Sequence, residues 1–288
     1  MIGIILAGGS GSRLRPLTLG VSKQLQAVYN KPMIYYPLST LMLAGIREIV
    51  VITTPSERDS FKRLLGDGSH FGTIIHYEVQ SEPLGLAQAF PISESHIRNK
   101  KTALILGDNV FHGRHIGSEL SKFLKIDGAQ IFGYRVANPS EYGVAEIDSK
   151  GKVLSLEEKP SNPKSNYAVP GLYFYDEKVL EISKSIQPSR RGELEITDVN
   201  RVYLSSGELY LEVIPRGTAW LDTGTFGSLH DASSYIKAVE DRQGLMISCI
   251  EEIAFRNGWI DMKQLEKRAR ELGEGPYANY LLSIREEN

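Results

Sequence analysis

Residues 1–16 read MIGIILAGGSGSRLRP, and this stretch decides the fold. An uninterrupted apolar run, Ile2 to Ala7, stops at Gly8-Gly9-Ser10-Gly11. A continuous rather than alternating run suits a strand covered by helices on both faces, as in a parallel sheet. Glycines at 8, 9 and 11 permit φ > 0 and let backbone N–H groups approach a ligand closely, which cradling phosphates requires. A turn chosen only for chain reversal would use the same residues.

Working outward, similar runs recur at Ile46–Thr53, Ile74–Val79, Thr102–Leu106 and Ala129–Arg135. Helical patterns fill the gaps at Met33–Ala44, Ser56–Leu65, Leu86–Ile97 and Ile116–Lys125, with Gly45, Gly66 and Gly128 at C-cap positions. This βαβ rhythm predicts an α/β fold, a Rossmann-like, mostly parallel sheet flanked by helices. After Pro139 shorter, alternating runs (Gly143–Ile147, Val153–Glu157, Tyr167–Tyr175, Glu208–Ile214) suggest an antiparallel extension of the same sheet. Helical patterns close the chain at Thr225–Gln243, Cys249–Asn257, Met262–Leu272 and Tyr277–Ile284. A catalytic domain over 1–245 and a C-terminal helical extension over 246–288, packed on the core or a subunit interface, are therefore expected.

Composition narrows the function classes. The chain has 288 residues, 41% hydrophobic and 24% charged, with a net charge of −2, as in an ordinary globular protein of one or two domains. Its one cysteine, Cys249, cannot form an internal disulfide, no signal-like segment precedes MIGIILA, and apolar runs fall short of the roughly 20 residues that span a membrane. A cytoplasmic location is expected, with no nucleic-acid or membrane partner, since no dense basic run exists. Any anion must be held locally.

The glycine turn is not G-x-x-x-x-G-K-[ST], and Leu14 occupies the place of the third glycine in G-x-G-x-x-G. A P-loop kinase and a dinucleotide dehydrogenase are both disfavoured. Arg13 and Lys23 come next instead; an arginine fork and a lysine point charge suit a polyphosphate that must be neutralised as a leaving group. Asp108 ends the run TALILGD at the carboxyl end of a buried strand, where open α/β sheets hold ligands, although Gly-Asp-Asn is also ordinary turn chemistry. Asp222, in AWLDTGT, could equally cap a helix before Phe226. His112 and His115 lack a companion cysteine or an HExxH pattern and read as a hydrogen-bonded or solvated pair, and Cys249 as a small buried hydrophobe. The Glu157-Glu158-Lys159-Pro160 stretch alone could be an exposed charged loop, and Tyr35-Tyr36 reads as core or subunit contact.

The string LAGGSGSRLRPLT (6–18), then SKQL (22–25) and KPMIYYPLSTLMLAGIREI (31–49), resembles the sugar-1-phosphate nucleotidylyltransferase family, in particular its glucose-1-phosphate thymidylyltransferase branch. QSEPLGLAQAF, LGDN, YGVAEID, SLEEKP, SNYAVPGLYFYD, RGELEITDVN and AWLDTGT come after it in the family's order, covering about residues 1–260. Ala27 stands where a proline is usual and Pro170 where a threonine is usual; neither removes a charge.

The resemblance implies a nucleotide-diphospho-sugar transferase type of fold and a Mg²⁺-dependent transfer of thymidylyl from dTTP to glucose 1-phosphate, giving dTDP-glucose and pyrophosphate. Asp108 and Asp222 would hold the metal. Leu6, Gly8, Gly9, Ser10, Gly11, Ser12, Arg13, Lys23, Gln24 and Asp108 would bind the nucleotide, with Gln80 offering its amide to the pyrimidine and Gly85 letting that edge approach backbone. Lys159 and Arg191 would hold the sugar phosphate, and Glu158 the sugar hydroxyls, assisted by Asn109, Gly143, Val169 and Tyr173. Arg13, Lys23, Lys159 and Arg191 would carry catalysis by positioning and neutralising charge, so no general base is needed. A homotetramer with feedback by dTDP-rhamnose, as in polysaccharide biosynthesis, is further implied, with His115, Arg216, Gly217, Glu252 and Arg256 as candidates for the second site. Competing readings are a UTP-dependent enzyme, a GT-A glycosyltransferase and a non-catalytic nucleotide-sugar sensor; the last would be expected to lose Arg13, Lys23 or one aspartate.

Overall fold

The computed structural model describes residues 1–9 and 11–285. Its strands are β1 (Ile2–Ala7), a short hairpin of β2 (Ala27–Val28) and β3 (Lys31–Pro32), then β4 (Glu48–Thr53), β5 (Ile74–Val79), β6 (Thr102–Leu106) and β7 (Asn109–His112). The second half adds β8 (Ala129–Arg135), β9 (Gly143–Ile147), β10 (Val153–Glu158), β11 (Tyr167–Ala168), β12 (Leu172–Tyr175), β13 (Leu209–Val213) and β14 (Ala219–Asp222). Ten of these form one sheet in the order β10-β9-β11-β8-β12-β6-β1-β4-β5, with β13 beside β8. Strands β6, β1, β4 and β5 run parallel, and β9 to β12 pair antiparallel.

The continuous apolar runs serve two faces. Ile2, Ile4 and Leu6 pack in one cluster with Val50, Ile52 and Leu104, while Ile5 and Ala7 pack in another with Ile49, Val51 and Ile105. Both faces are covered, so neither can be polar. The second cluster also contains Cys249, Ile250, Ala254, Leu265 and Leu281, so the helices after residue 245 complete the core of the first half.

Strands β2, β3, β7 and β14 and the helices Val179–Ser185 and Ile196–Ser205 are additions to the expectation, and several expected elements change. The run Tyr167–Tyr175 breaks into β11 and β12 because Pro170 has no N–H to give a ladder, and a tight turn (Leu172 N to Pro170 O, 2.8 Å) interrupts it; both pieces still pair antiparallel with β8. Strand β13 pairs parallel, not antiparallel, with β8, its chain having crossed over through the helix Ile196–Ser205. The expected helix Leu86–Ile97 becomes three short turns, Leu86–Gln88, Ala89–Ile92 and Glu94–Ile97.

Candidate active site

The parallel strands β1 and β6 are neighbours, so their carboxyl ends deliver the glycine turn and Gly107-Asp108 to one place. Gly107 N donates to Leu6 O at 3.0 Å, and a side chain at 107 would strike Leu6 O and Gln24 at 2.9 Å. Gly11 sits at φ 58 and opens the turn Ser12–Leu14; a side chain there would meet Thr18 at 2.8 Å. These contacts bring Lys23 beside the strand ends, where its Nζ pairs with Asp108 Oδ2 at 2.5 Å.

Asp222 arrives from a distant part of the chain by strand pairing. β14 runs antiparallel to β7 with Asp222 opposite Asn109, and Thr223 donates to Asp108 O through both N (3.2 Å) and Oγ1 (2.8 Å). Asp222 is not the cap of the next helix. Thr225 caps Phe226–Gln243 in a reciprocal pair with Ser228, which leaves the Asp222 carboxylate free of that task. Burial and then the Asp108 charge push its acid up to about 6, against the opposing Lys23 and Arg13.

The opposite wall comes from the antiparallel half. Glu158 lies across from Gly143 in the β10–β9 register, and the missing side chain at 143 leaves its carboxylate uncovered. Thr197 Oγ1 donates to Glu158 Oε2 at 2.5 Å. Lys159 sits at φ 42, its N bonded to Tyr142 O at 3.1 Å. Arg191 reaches over from a turn around Gly192 and is paired with Glu195 at 2.9 Å. Both walls enclose one cavity of about 360 Å³.

Residues 2–239 match the family model for nucleotidyl transferases. The chain belongs to the nucleotidyl transferase family. Full-length similarity extends to proteins named glucose-1-phosphate thymidylyltransferase, among them one of Mycobacterium tuberculosis (59% identical over 288 residues, 100% of both chains). Another is from Mycolicibacterium smegmatis, 60% identical over 284 residues and 99% of both chains. A Bacillus anthracis chain solved in complex with sucrose is 39% identical with a TM-score of 0.75, covering 82% of this chain and 95% of that one. A UDP-glucose pyrophosphorylase solved with UDP-glucose shares the fold at 24% identity and a TM-score of 0.72, covering 82% of this chain and 98% of its own.

In this nucleotidyl transferase the cavity lining contains Gly9, Gly11, Ser12, Arg13, Lys23, Gln24, Asp108 and Asp222 from the first wall. From the second it contains Gly143, Glu158, Lys159, Val169, Tyr173 and Arg191, and Asn109, next to Asp108, joins the two by accepting from Gly171 N at 3.1 Å. Four of the expected residues stand back from it. Leu6 is in the core, Gly8 packs on Gln80, and Gly85 packs on the Leu194 backbone. Gln80 is buried, with Nε2 donated to Gln88 Oε1 at 2.7 Å, which leaves the amide oxygen as an acceptor. Ser10 lies outside the described residues. His112 is bonded to Tyr235 at 2.8 Å and Cys249 is buried beside Tyr277.

The lining also holds residues that motif reading passes over, chiefly Tyr142, Trp220, Thr197 and Glu195. Trp220 is findable from period two, since it shares a strand face with Asp222 in β14. Its Nε1 donates to Asn109 Oδ1 at 2.6 Å, and Tyr142 packs on its ring at 5.2 Å between centroids.

Asp108 and Asp222 offer hard carboxylate oxygens from adjoining backbone, and burial first and the Asp108 charge second push the Asp222 carboxyl up to about 6 against the opposing Lys23 and Arg13. That donor set fits a hard divalent cation such as Mg²⁺, which takes one or two carboxylates and completes its shell with phosphate and water oxygens. Among the described residues no cluster of three or more His, Cys, Asp or Glu side chains forms an all-protein metal cage, and no helix is long and apolar enough to cross a membrane.

Proposed function

We propose that this chain transfers thymidylyl from dTTP to glucose 1-phosphate, releasing pyrophosphate and forming dTDP-glucose. One observation carries the reading. A single cleft is lined by Arg13, Lys23, Asp108 and Asp222 on one wall and by Glu158, Lys159 and Arg191 on the other. Two anionic substrates pushed together need cations on both sides, and this cleft supplies them. The thymidylyl and glucose specificity is supported by the names of the mycobacterial relatives.

A phosphate oxygen of glucose 1-phosphate attacks the α-phosphorus of dTTP in line; the new P–O bond forms as the bond to the β-phosphate breaks. The nucleophile is already ionised, so no general base is required. Arg13 and Lys23 hold the nucleotide phosphates and the departing pyrophosphate, Lys159 and Arg191 hold the sugar phosphate, and Glu158 orients the sugar hydroxyls. Asp108 and Asp222 would hold Mg²⁺, which would supply neutralisation of phosphate charge when bound. The same reading takes in a cytoplasmic homotetramer with feedback by dTDP-rhamnose.

The test is pyrophosphate release across dTTP, UTP, CTP and ATP crossed with several hexose 1-phosphates, with and without Mg²⁺. The highest rate is expected for dTTP with glucose 1-phosphate. A UTP preference would correct the nucleotide, and free nucleoside diphosphate in place of pyrophosphate would mean glycosyl transfer instead.

A further inference from the structure

A guanidinium presents five N–H donors in a flat fork. In Arg191 one edge of that fork is committed: Nε donates to Glu195 Oε1 at 3.1 Å, and Nη2 donates to both carboxylate oxygens at 2.9 Å. Nη2 also reaches Glu193 Oε2 at 3.1 Å. Nη1 has no acceptor among the described residues.

Glu195 is suited to hold the arginine still. It is 5% exposed, accepts from Ser189 Oγ at 2.7 Å, and directly precedes the helix Ile196–Ser205, whereas the Glu193 side chain is 41% exposed. A buried carboxylate anchored on a helix start fixes the plane of a long, flexible side chain. The rotamer freedom that a loose arginine loses on binding an anion is here lost on folding.

We propose that Glu195 is the positioning residue for Arg191, holding its guanidinium by the Nε–Nη2 edge so that the Nη1 edge serves the phosphate of the sugar 1-phosphate. This rests on the reading of Arg191 as a sugar-phosphate ligand. Steady-state pyrophosphate release tests it in the full chain for wild type, Glu195→Gln, Arg191→Gln and the double variant.

Glu195→Gln is expected to raise KM for glucose 1-phosphate about tenfold by misaiming the fork, with KM for dTTP unchanged. In the Arg191→Gln background the same substitution adds nothing, because the residue it acts through is gone. Glu195→Asp retains the charge but draws it back by one methylene, and an intermediate rise is expected. An unchanged KM for glucose 1-phosphate, equal rises for both substrates, or additive losses in the double variant would overturn the proposal. Wild type that releases no pyrophosphate from dTTP and glucose 1-phosphate would overturn the functional reading and this proposal together; an active wild type with an unaffected Glu195→Gln overturns the proposal alone.

Discussion

The two walls of the cleft are held by different kinds of contact. At the first wall the two aspartates sit at strand ends and are fixed through the backbone, with Gly107 N on Leu6 O and Thr223 on Asp108 O, and Lys23 pairs with Asp108 from a short turn beside them. At the other wall the cations stand on irregular backbone, Lys159 at φ 42 and Arg191 beside Gly192, and Arg191 is aimed by the Glu195 side chain. The first arrangement comes with the sheet and cannot shift without breaking it. The second can be retuned by single side-chain changes that leave the fold intact.

The largest effect is expected at the first wall. Asp108→Ala or Asp222→Ala should lower turnover by roughly a thousandfold, with circular dichroism unchanged, because each removes charge control at the reacting phosphates. Chelation of divalent cations in wild type should give a comparable loss. At the second wall Lys159→Ala should lower kcat about a hundredfold and raise KM for glucose 1-phosphate while KM for dTTP holds. Equal changes in both KM values would erase the distinction between the walls.

Gly85→Ala tests how the walls communicate. Gly85 has φ 115, and an added Cβ would lie 2.4 Å from the backbone N and O of Leu194, the neighbour of Glu195. The substitution should cost about 2–3 kcal/mol in urea unfolding and disturb glucose 1-phosphate binding more than dTTP binding. The reverse order would tie Gly85 to the base.

A smaller effect concerns pH. The carboxyl of Asp222 is raised to about 6 in the folded chain, by burial first and the Asp108 charge second. Folding therefore favours its protonated form: that contribution to metal-free stability is full below the ordinary carboxylate range near 4 and is lost as pH rises through 6. Without metal, the melting temperature of Asp222→Asn relative to wild type should climb between pH 4 and 6 and level off above. A flat difference would mean that neither burial nor the Asp108 charge raises the Asp222 carboxyl. The smallest change is Thr225→Ala, which removes the cap of Phe226–Gln243 and should cost about 1 kcal/mol of stability with little change in turnover.

Much of the first wall is legible from residues alone, since apolar runs and glycines fix strand ends, and a strand end places the residues just beyond it. The parallel core, Asp108 and the glycine turn come from that pattern. Asp222 is ambiguous in sequence because Asp-Thr-Gly-Thr holds two possible caps, and only the Thr225–Ser228 pair resolves which one is used. The second wall is harder to read. The break at Pro170, the parallel pairing of β13 and the clamp on Arg191 all depend on contacts between segments far apart in the chain, which local propensity does not encode. Gln80 illustrates the same limit: its bond to Gln88, eight residues on, comes from tertiary packing and is not written in its own polarity.

Both walls matter only if two substrates meet at one phosphorus and exchange it in a single step. The stereochemical course of transfer from dTTP carrying a chiral α-thiophosphate to glucose 1-phosphate tests this most directly. Inversion at the α-phosphorus is the predicted result; retention would require a covalent nucleotidyl–protein intermediate and would contradict the account.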